Sequence, residues 1–297
     1  MKKSKGYLMM LVLLTGGFWG LSFVSMDYLV DRMSPMQALA CRWTVAAVIF
    51  LILIALRVIK IDLKSKALKY LVIGAVLQPC IYSVLEIYGI KFTSVSVSSV
   101  LIAASPAMTL LVGMLFFRRK PSKIGIIGII TAFAGVIIFN VFAPGASVEG
   151  SLKGYIILIA AITVLGFFGF IAGKAAEGFS AIERTAVMAV FGAVTFNIAC
   201  IFMGFGTETY TMIFSDAKTL IAVLFLGVIC TVVCYSSYNA LLASMEPATA
   251  ANLVSCLTTV MGVVTGIIIA GDSFGWYTWA GTIVTLAGII LSSRSIE

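Results

Sequence analysis

Ten apolar stretches of membrane-spanning length run through this chain of 297 residues, with only short polar connections between them. Each has about 16 to 24 residues, the length that a helix needs to cross the hydrocarbon core of a bilayer. Their predicted bounds are 7–28, 35–56, 68–90, 94–117, 124–142, 152–173, 181–204, 220–242, 248–270 and 276–291.

Composition decides between the structures that such stretches form. Hydrophobic residues make up 61% of the chain and charged residues 11%, which is too apolar for a soluble core of this size. An outer-membrane barrel is excluded as well, because its strands alternate polar and apolar residues. The sequence therefore predicts an all-α integral membrane protein with ten transmembrane helices.

The second half of the chain repeats features of the first. Gly128 and Gly135 in the fifth stretch recur as Gly281 and Gly288 in the tenth, about 153 residues later. We predict two five-helix repeats, at 1–147 and 148–297. A unit with an odd number of spans begins and ends on opposite sides of the membrane, so its copy is inverted. Two inverted halves around a midplane site are typical of carriers for small solutes.

The net charge of +8 comes mainly from bases in alternate connections. They lie at 2–5, 57–69, 118–123, Lys174, Arg184 and Arg294. Lys and Arg accumulate in cytoplasmic loops, so this pattern predicts two cytoplasmic termini in the cell (inner) membrane. It also accounts for the positive charge without a nucleic-acid partner, and the lipid bilayer is the expected surrounding.

Short motifs follow one another along the chain in a recognisable order. They are Phe18-Trp19-Gly20-Leu21-Ser22-Phe23, Ala40-Cys41-Arg42-Trp43, residues 98–106 and the two glycine pairs. Together they resemble the EamA-type families of the drug/metabolite transporter superfamily over nearly the full length. The resemblance implies ten helices, two inverted repeats and a central cavity through which amino acids, other metabolites or drugs pass by alternating access. The chain departs from that pattern at Thr258, usually a proline, and at Arg119-Lys120, often Gly-Glu.

The residue types argue against an enzyme. The chain has no histidine, which removes the commonest proton shuttle and metal ligand. It has no Walker-type phosphate loop, and we expect no cofactor and no metal. Its six cysteines all fall inside apolar stretches, where they are predicted to pack as small apolar residues.

Polar and aromatic side chains recur at helical spacing in several stretches. Gln78, Tyr82 and Glu86 are four residues apart, so they lie on one face of the third stretch. The eighth stretch has a comparable face, and the two faces are predicted to enclose a cavity. The predicted substrate-binding residues are Trp19, Gln78, Tyr82, Glu86, Tyr235, Tyr238, Asn239, Asn252 and Ser255. Interhelical hydrogen bonding explains Asn252 and Ser255 equally well, and apolar packing is the alternative for Trp19.

Arg42 and Glu86 are the ionisable residues that lie clearly inside the apolar stretches. A charge at that depth costs roughly 2.5 to 3.5 kcal/mol on insertion scales, so it indicates function. We predict that the two form an intramembrane pair or share the charged groups of a solute, and that they are coupling residues, Glu86 as the protonatable one. A structural role for Arg42 is the alternative.

These patterns favour a secondary transporter for a small metabolite that is amino-acid-like or otherwise weakly charged. A multiply phosphorylated solute would call for several Lys or Arg in the spans. A membrane channel or facilitator and a non-transporting membrane scaffold remain alternatives. Transport direction, coupling ion and homo-oligomerisation stay open.

Overall fold

The computed structural model describes residues 4–61, 65–120, 122–142, 148–272 and 275–293. Within these ranges the chain forms ten long helices. They are α1 (Lys5–Val30), α2 (Pro35–Ala55), α3 (Leu68–Lys91), α4 (Val95–Phe116), α5 (Lys123–Val141), α6 (Val148–Ala175), α7 (Ala181–Phe202), α8 (Ala217–Leu242), α9 (Pro247–Ala270) and α10 (Trp276–Ser293). The connection between α7 and α8 holds a short helical turn, Glu208–Thr211, and a 3-10 turn, Met212–Phe214.

Eight helices in the described part of the chain are long and apolar enough to cross a membrane, namely α1 to α4 and α6 to α9. The apolar stretches of α5 and α10, Lys123–Ile138 and Trp276–Leu291, are shorter. The prediction of a multi-pass, all-helical membrane protein is therefore confirmed. That all ten helices cross the bilayer remains a prediction.

Two helices at equivalent places in the predicted repeats begin with the same cap. The Ser34 N–H at the start of α2 donates to Gln37 Oε1 at 3.0 Å, and the Ser180 N–H at the start of α7 donates to Glu183 Oε2 at 2.7 Å. The side chain three residues into the helix thus satisfies a backbone donor that the helix leaves free.

The packing of the helices is preserved when the halves are exchanged. Helix α1 packs on α9 as α6 packs on α4, and α8 packs on α1 as α3 packs on α6. Three further large contacts, α2 with α7, α4 with α9 and α5 with α10, join equivalent helices of the two halves.

Helices α3 and α8 change their winding in the middle. Helix α3 is π-helical over Val76–Tyr82, around Pro79, and α8 is π-helical over Phe225–Tyr235. A π-turn bonds residues five apart instead of four, which turns the following residues to a new direction. Pro79 also removes one backbone donor from α3. A polar face inferred from four-residue spacing is therefore not continuous through these segments.

Asp216 caps α8 and ties it to α1. Its carboxylate accepts hydrogen bonds from Thr219 N at 3.0 Å, Thr219 Oγ1 at 2.7 Å and Tyr28 Oη at 3.1 Å. These donors favour the ionised form and hold the pKa of Asp216 well below its usual range. A depressed folded-state pKa contributes stability that is fully present above the unfolded pKa of about 3.9 and is lost as the pH falls below it.

Asp216→Asn is accordingly expected to lower the melting temperature near neutral pH, with a difference from wild type that shrinks between about pH 5 and pH 3. Melting in detergent across that range is the measurement. Glu177→Gln, a change at an exposed acid in the connection between α6 and α7, is the matched control. A difference that stays constant with pH would contradict the role given to the Asp216 carboxylate.

Candidate functional site

A cavity lies at the centre of the helix bundle, surrounded by α1, α2, α3, α4, α6, α8 and α9. Its empty space, including the open space at its mouth, is about 550 Å³. The lining residues are Trp19, Ser22, Phe23, Arg42, Tyr82, Glu86, Ile102, Ser105, Leu165, Tyr235, Tyr238, Ala251, Val254, Ser255 and Thr258.

Beyond Phe23 the bundle is closed by contact between α4 and α9. A Cβ on Gly262 would lie 2.4 Å from Ser99 Cβ, and one on Gly266 would lie 2.4 Å from Ser96 Oγ. The Ser96 N–H at the start of α4 also donates to Asp272 Oδ2, just after α9, at 2.7 Å. The two helices can approach this closely because the residues at their contact are small.

Most of the residues predicted from sequence meet at this cavity. Trp19, Arg42, Tyr82, Glu86, Tyr235, Tyr238 and Ser255 are in its wall. They come from five different helices, so their proximity is a result of the fold. That they bind a solute remains a prediction.

Gln78, Asn239 and Asn252 are not among the lining residues, which corrects the faces predicted for them. Gln78 lies in the π-helical part of α3, where it is fully buried and its Nε2 donates to Tyr235 Oη. The change of winding between Gln78 and Glu86 turns the two side chains apart, so the predicted three-residue stripe is broken. Asn252 is buried on α9, and its Oδ1 has no hydrogen-bond partner within the described ranges.

Asn239 lies at a second, smaller cavity among α3, α6, α7 and α8. Its Nδ2 donates to Thr185 Oγ1 at 3.0 Å, and its backbone carbonyl oxygen accepts from Arg184 Nη2 at 2.5 Å. One residue further along a helix than Tyr238, it points about 100° away from that side chain. Asn239 thus joins α8 to α7 instead of facing the central cavity.

An aromatic wall closes one side of the central cavity. The Trp19 ring lies 4.9 Å from the Tyr235 ring and 5.2 Å from the Tyr238 ring, centroid to centroid. Trp19 Nε1 donates to the Cys230 carbonyl at 3.1 Å, which fixes the indole against α8. Aromatic groups in contact at these distances form a rigid apolar surface.

Arg42 is the positive charge of the cavity, with only 3% of its side chain exposed. Its Nε donates to Thr231 Oγ1 at 2.9 Å, while Nη1 is buried and without a partner among the residues described. No described carboxylate lies within 4.0 Å of it, so the direct ion pair with Glu86, one of the two predicted arrangements, is not formed. A buried cation with unused donors is costly unless an anionic group completes it.

Glu86 is the negative charge of the same cavity. Tyr82 Oη donates to Glu86 Oε1 at 2.6 Å, and within the described chain this is the hydrogen bond that the carboxylate receives. Arg42 and Glu86 therefore face one space with opposite charges, each held by a neutral neighbour.

The sequence analysis did not assign eight of the lining residues to the site. They are Ser22, Phe23, Ile102, Ser105, Leu165, Ala251, Val254 and Thr258. Five of them lie on α4 and α9, where Ser105 Oγ and Ser255 Oγ are 3.2 Å apart. The small residues shared by these two helices were the signal available in the sequence.

The described residues contain no group of three or more Cys, Asp or Glu placed to hold a metal ion. All six cysteines are free. Cys230 and Cys234 on α8 contact backbone oxygens of α1, at 3.6 Å from Phe18 O and 3.7 Å from Leu14 O. These thiols pack between helices.

Fold and cavity together describe a multi-pass helical membrane protein with a central cavity. The EamA-like transporter family matches residues 5–141 and again residues 152–294, and the chain belongs to that family. The resemblance found in the sequence motifs is thereby confirmed.

Curated relatives cover nearly the whole chain. "Uncharacterized transporter YcxC" of Bacillus subtilis (strain 168) is 26% identical over 282 residues, covering 94% of this chain and 90% of the relative. "Probable amino-acid metabolite efflux pump" of Salmonella typhimurium is 23% identical over 305 residues, covering 98% and 95%. A solved crystal structure matches 98% of both chains with a TM-score of 0.69 at 13% identity, which shows the fold alone. Family and relatives point to a transporter rather than an enzyme.

Proposed function

We propose that this protein is a secondary transporter that moves a small amino-acid-like metabolite across the cell membrane by alternating access, with both termini in the cytoplasm. The observation that carries the proposal is the pair of opposite charges in one aromatic cavity. Arg42 and Glu86 both line the cavity, and their charged atoms are not within the 4.0 Å of an ion pair.

A zwitterionic solute complements this arrangement. The guanidinium of Arg42 accommodates a carboxylate through its Nη groups, of which Nη1 has no partner among the described residues, and planar contacts of this kind are strong. The carboxylate of Glu86 takes the ammonium group. Trp19, Tyr235 and Tyr238 supply the apolar surface for the rest of the solute.

The two predicted repeats, 1–147 and 148–297, supply the movement in this proposal, with all ten helices crossing the membrane. Two findings support it: the helix packing is kept when the halves are exchanged, and the family matches the chain twice. The contact between α4 and α9 beyond Phe23 closes one end of the cavity. Alternating access requires that contact to open while the opposite end closes.

Counterflow in proteoliposomes tests this proposal. The purified protein should show saturable uptake of a labelled amino acid that is stimulated by unlabelled amino acid on the other side. Flux that neither saturates nor responds to the opposite side would indicate a channel. A complete lack of flux across a panel of amino acids would overturn the solute class.

Glu86→Gln is expected to abolish accumulation driven by an imposed pH gradient and to raise the apparent KM, while counterflow at saturating solute persists. The reason is that, among the described residues that line the cavity, Glu86 alone carries a carboxylate, so protonation there is coupled to solute binding. Transport assays with and without the gradient check this result. Glu177→Gln is the control, and an unchanged gradient response in Glu86→Gln would end the coupling role.

A further inference from the structure

The hydrogen bond from Arg42 to Thr231 depends on the unusual winding of α8. Thr231 Oγ1 donates to Leu226 O at 2.8 Å, five residues earlier in the helix. This acceptor lies inside the π-helical segment Phe225–Tyr235. In a π-helix the backbone N–H groups donate to carbonyl oxygens five residues earlier instead of four. The Thr231 hydroxyl follows the same spacing and is hydrogen-bonded to the backbone of its own helix.

A hydroxyl has one proton to give. Since Thr231 gives its proton to Leu226 O, its oxygen is left as an acceptor, and Arg42 Nε donates to it at 2.9 Å. The guanidinium is planar, so fixing Nε also fixes the directions of the two Nη groups. Thr231 itself is fully buried and is not in the cavity wall, so it acts on the cavity through Arg42.

Without the hydrogen bond from Arg42 to Thr231, the cavity would favour a direct contact between Arg42 and Glu86. Arg42 and Glu86 line the same space, and opposite charges in a poorly hydrated site attract strongly. A direct pair would use up both charges and leave none for a solute. Instead the hydroxyl of Thr231 accepts from Arg42, and the hydroxyl of Tyr82 donates to Glu86 at 2.6 Å. One neutral hydroxyl on each side holds the two charges apart.

We propose that Thr231 is the positioning residue that aims the guanidinium of Arg42 into the cavity and thereby sets a preference for carboxylate solutes. The proposal rests on the proposed function, because it assigns Arg42 to the carboxylate of the solute. The preference for carboxylate solutes thus depends on Thr231, a residue that the solute does not touch.

The test compares L-leucine with L-leucinamide, two probes that share the ammonium group and differ in the carboxylate. Binding to the detergent-purified full chain is measured by calorimetry or by the shift in melting temperature. Wild type should prefer leucine. Thr231→Val, nearly the same size but without a hydroxyl, should reduce that preference by roughly tenfold, the scale of one hydrogen bond to a charged group. Thr231→Ser keeps the hydroxyl and should keep the preference.

Thr285→Val is the matched control, because Thr285 is fully buried on α10 and its hydroxyl has no partner within the described chain. It should bind both probes as wild type does. A wild-type preference that survives in Thr231→Val would overturn the positioning role alone, as would equal weakening of both probes in that variant. A wild type that shows no preference overturns the assignment of Arg42 in the proposed function, and this is seen before any variant is compared.

Discussion

Arg42→Met is expected to raise the melting temperature of the solute-free protein and to abolish its response to carboxylate solutes. Without solute, Arg42 is a charge buried to 3% exposure, with Nη1 unpartnered and no described carboxylate within 4.0 Å. Replacing a buried charge that has no ion-pair partner by an apolar side chain of similar volume removes its desolvation penalty, which is several kcal/mol. The same replacement removes the proposed partner of the solute carboxylate, so stability and binding change in opposite directions.

Arg184→Met is the matched comparison for this experiment. Arg184 is also almost fully buried, but its guanidinium donates to Ser180 O at 3.4 Å, Ala172 O at 3.0 Å and Asn239 O at 2.5 Å. Arg184→Met removes the guanidinium donor from these three backbone carbonyl oxygens, so it should lower the melting temperature. If Arg42→Met lowered it as well, Arg42 would be structural, the alternative that the sequence left open.

Helix positions were largely predictable because apolar length and capping residues act locally. The stretch predicted at 35–56 is the helix Pro35–Ala55, and the stretch predicted at 181–204 is the helix Ala181–Phe202. Each start is marked by a serine, with proline or a capping partner beside it. Helix α6 begins earlier than its predicted stretch, at Val148, because its first turn is polar and carries no hydrophobic signal.

On α3, four-residue spacing placed two of the three predicted residues correctly in the cavity wall. Tyr82 is the last residue of the π-helical segment of α3, and Glu86 lies four residues after it. Both line the cavity, as four-residue spacing indicates. Gln78 lies within that segment and turns away. Pro79 was the visible sign of an irregularity, yet a proline does not specify how much the helix unwinds, since packing against the neighbouring helices sets that.

The partners of the two buried charges could not be read from sequence either. Depth along each helix placed Arg42 and Glu86 near each other, and both do line one cavity. Which neutral side chain holds each of them depends on the rotation of α8 and α3, and the winding of those helices is a tertiary property. The hydroxyls of Thr231 and Tyr82 therefore appear as partners only in the folded chain.

Gly288→Ala is expected to destabilise the pair formed by α5 and α10 by at least about 1–3 kcal/mol, the usual cost of overpacking. A Cβ at Gly288 would lie 2.1 Å from Ala132 N and 2.5 Å from Ala132 Cα. Backbone atoms cannot rotate out of the way as a side chain does, so the two helices must separate. Thermal unfolding in detergent is the measurement, with the protein's response to solute as a second readout.

Gly173→Ala is the control, because a Cβ there meets nothing within 4 Å. It should be neutral or stabilise by about 0.5–1 kcal/mol, since glycine in a helix costs that much relative to alanine. Gly135→Ala should resemble Gly288→Ala, because its Cβ would lie 2.3 Å from Thr285 N on the partner helix. If these results are obtained, the repeated glycines serve to let the backbones of α5 and α10 pack closely together. Both variants melting like Gly173→Ala would show that the helices do not rely on backbone contact, and the repeated glycines would then need a role in movement.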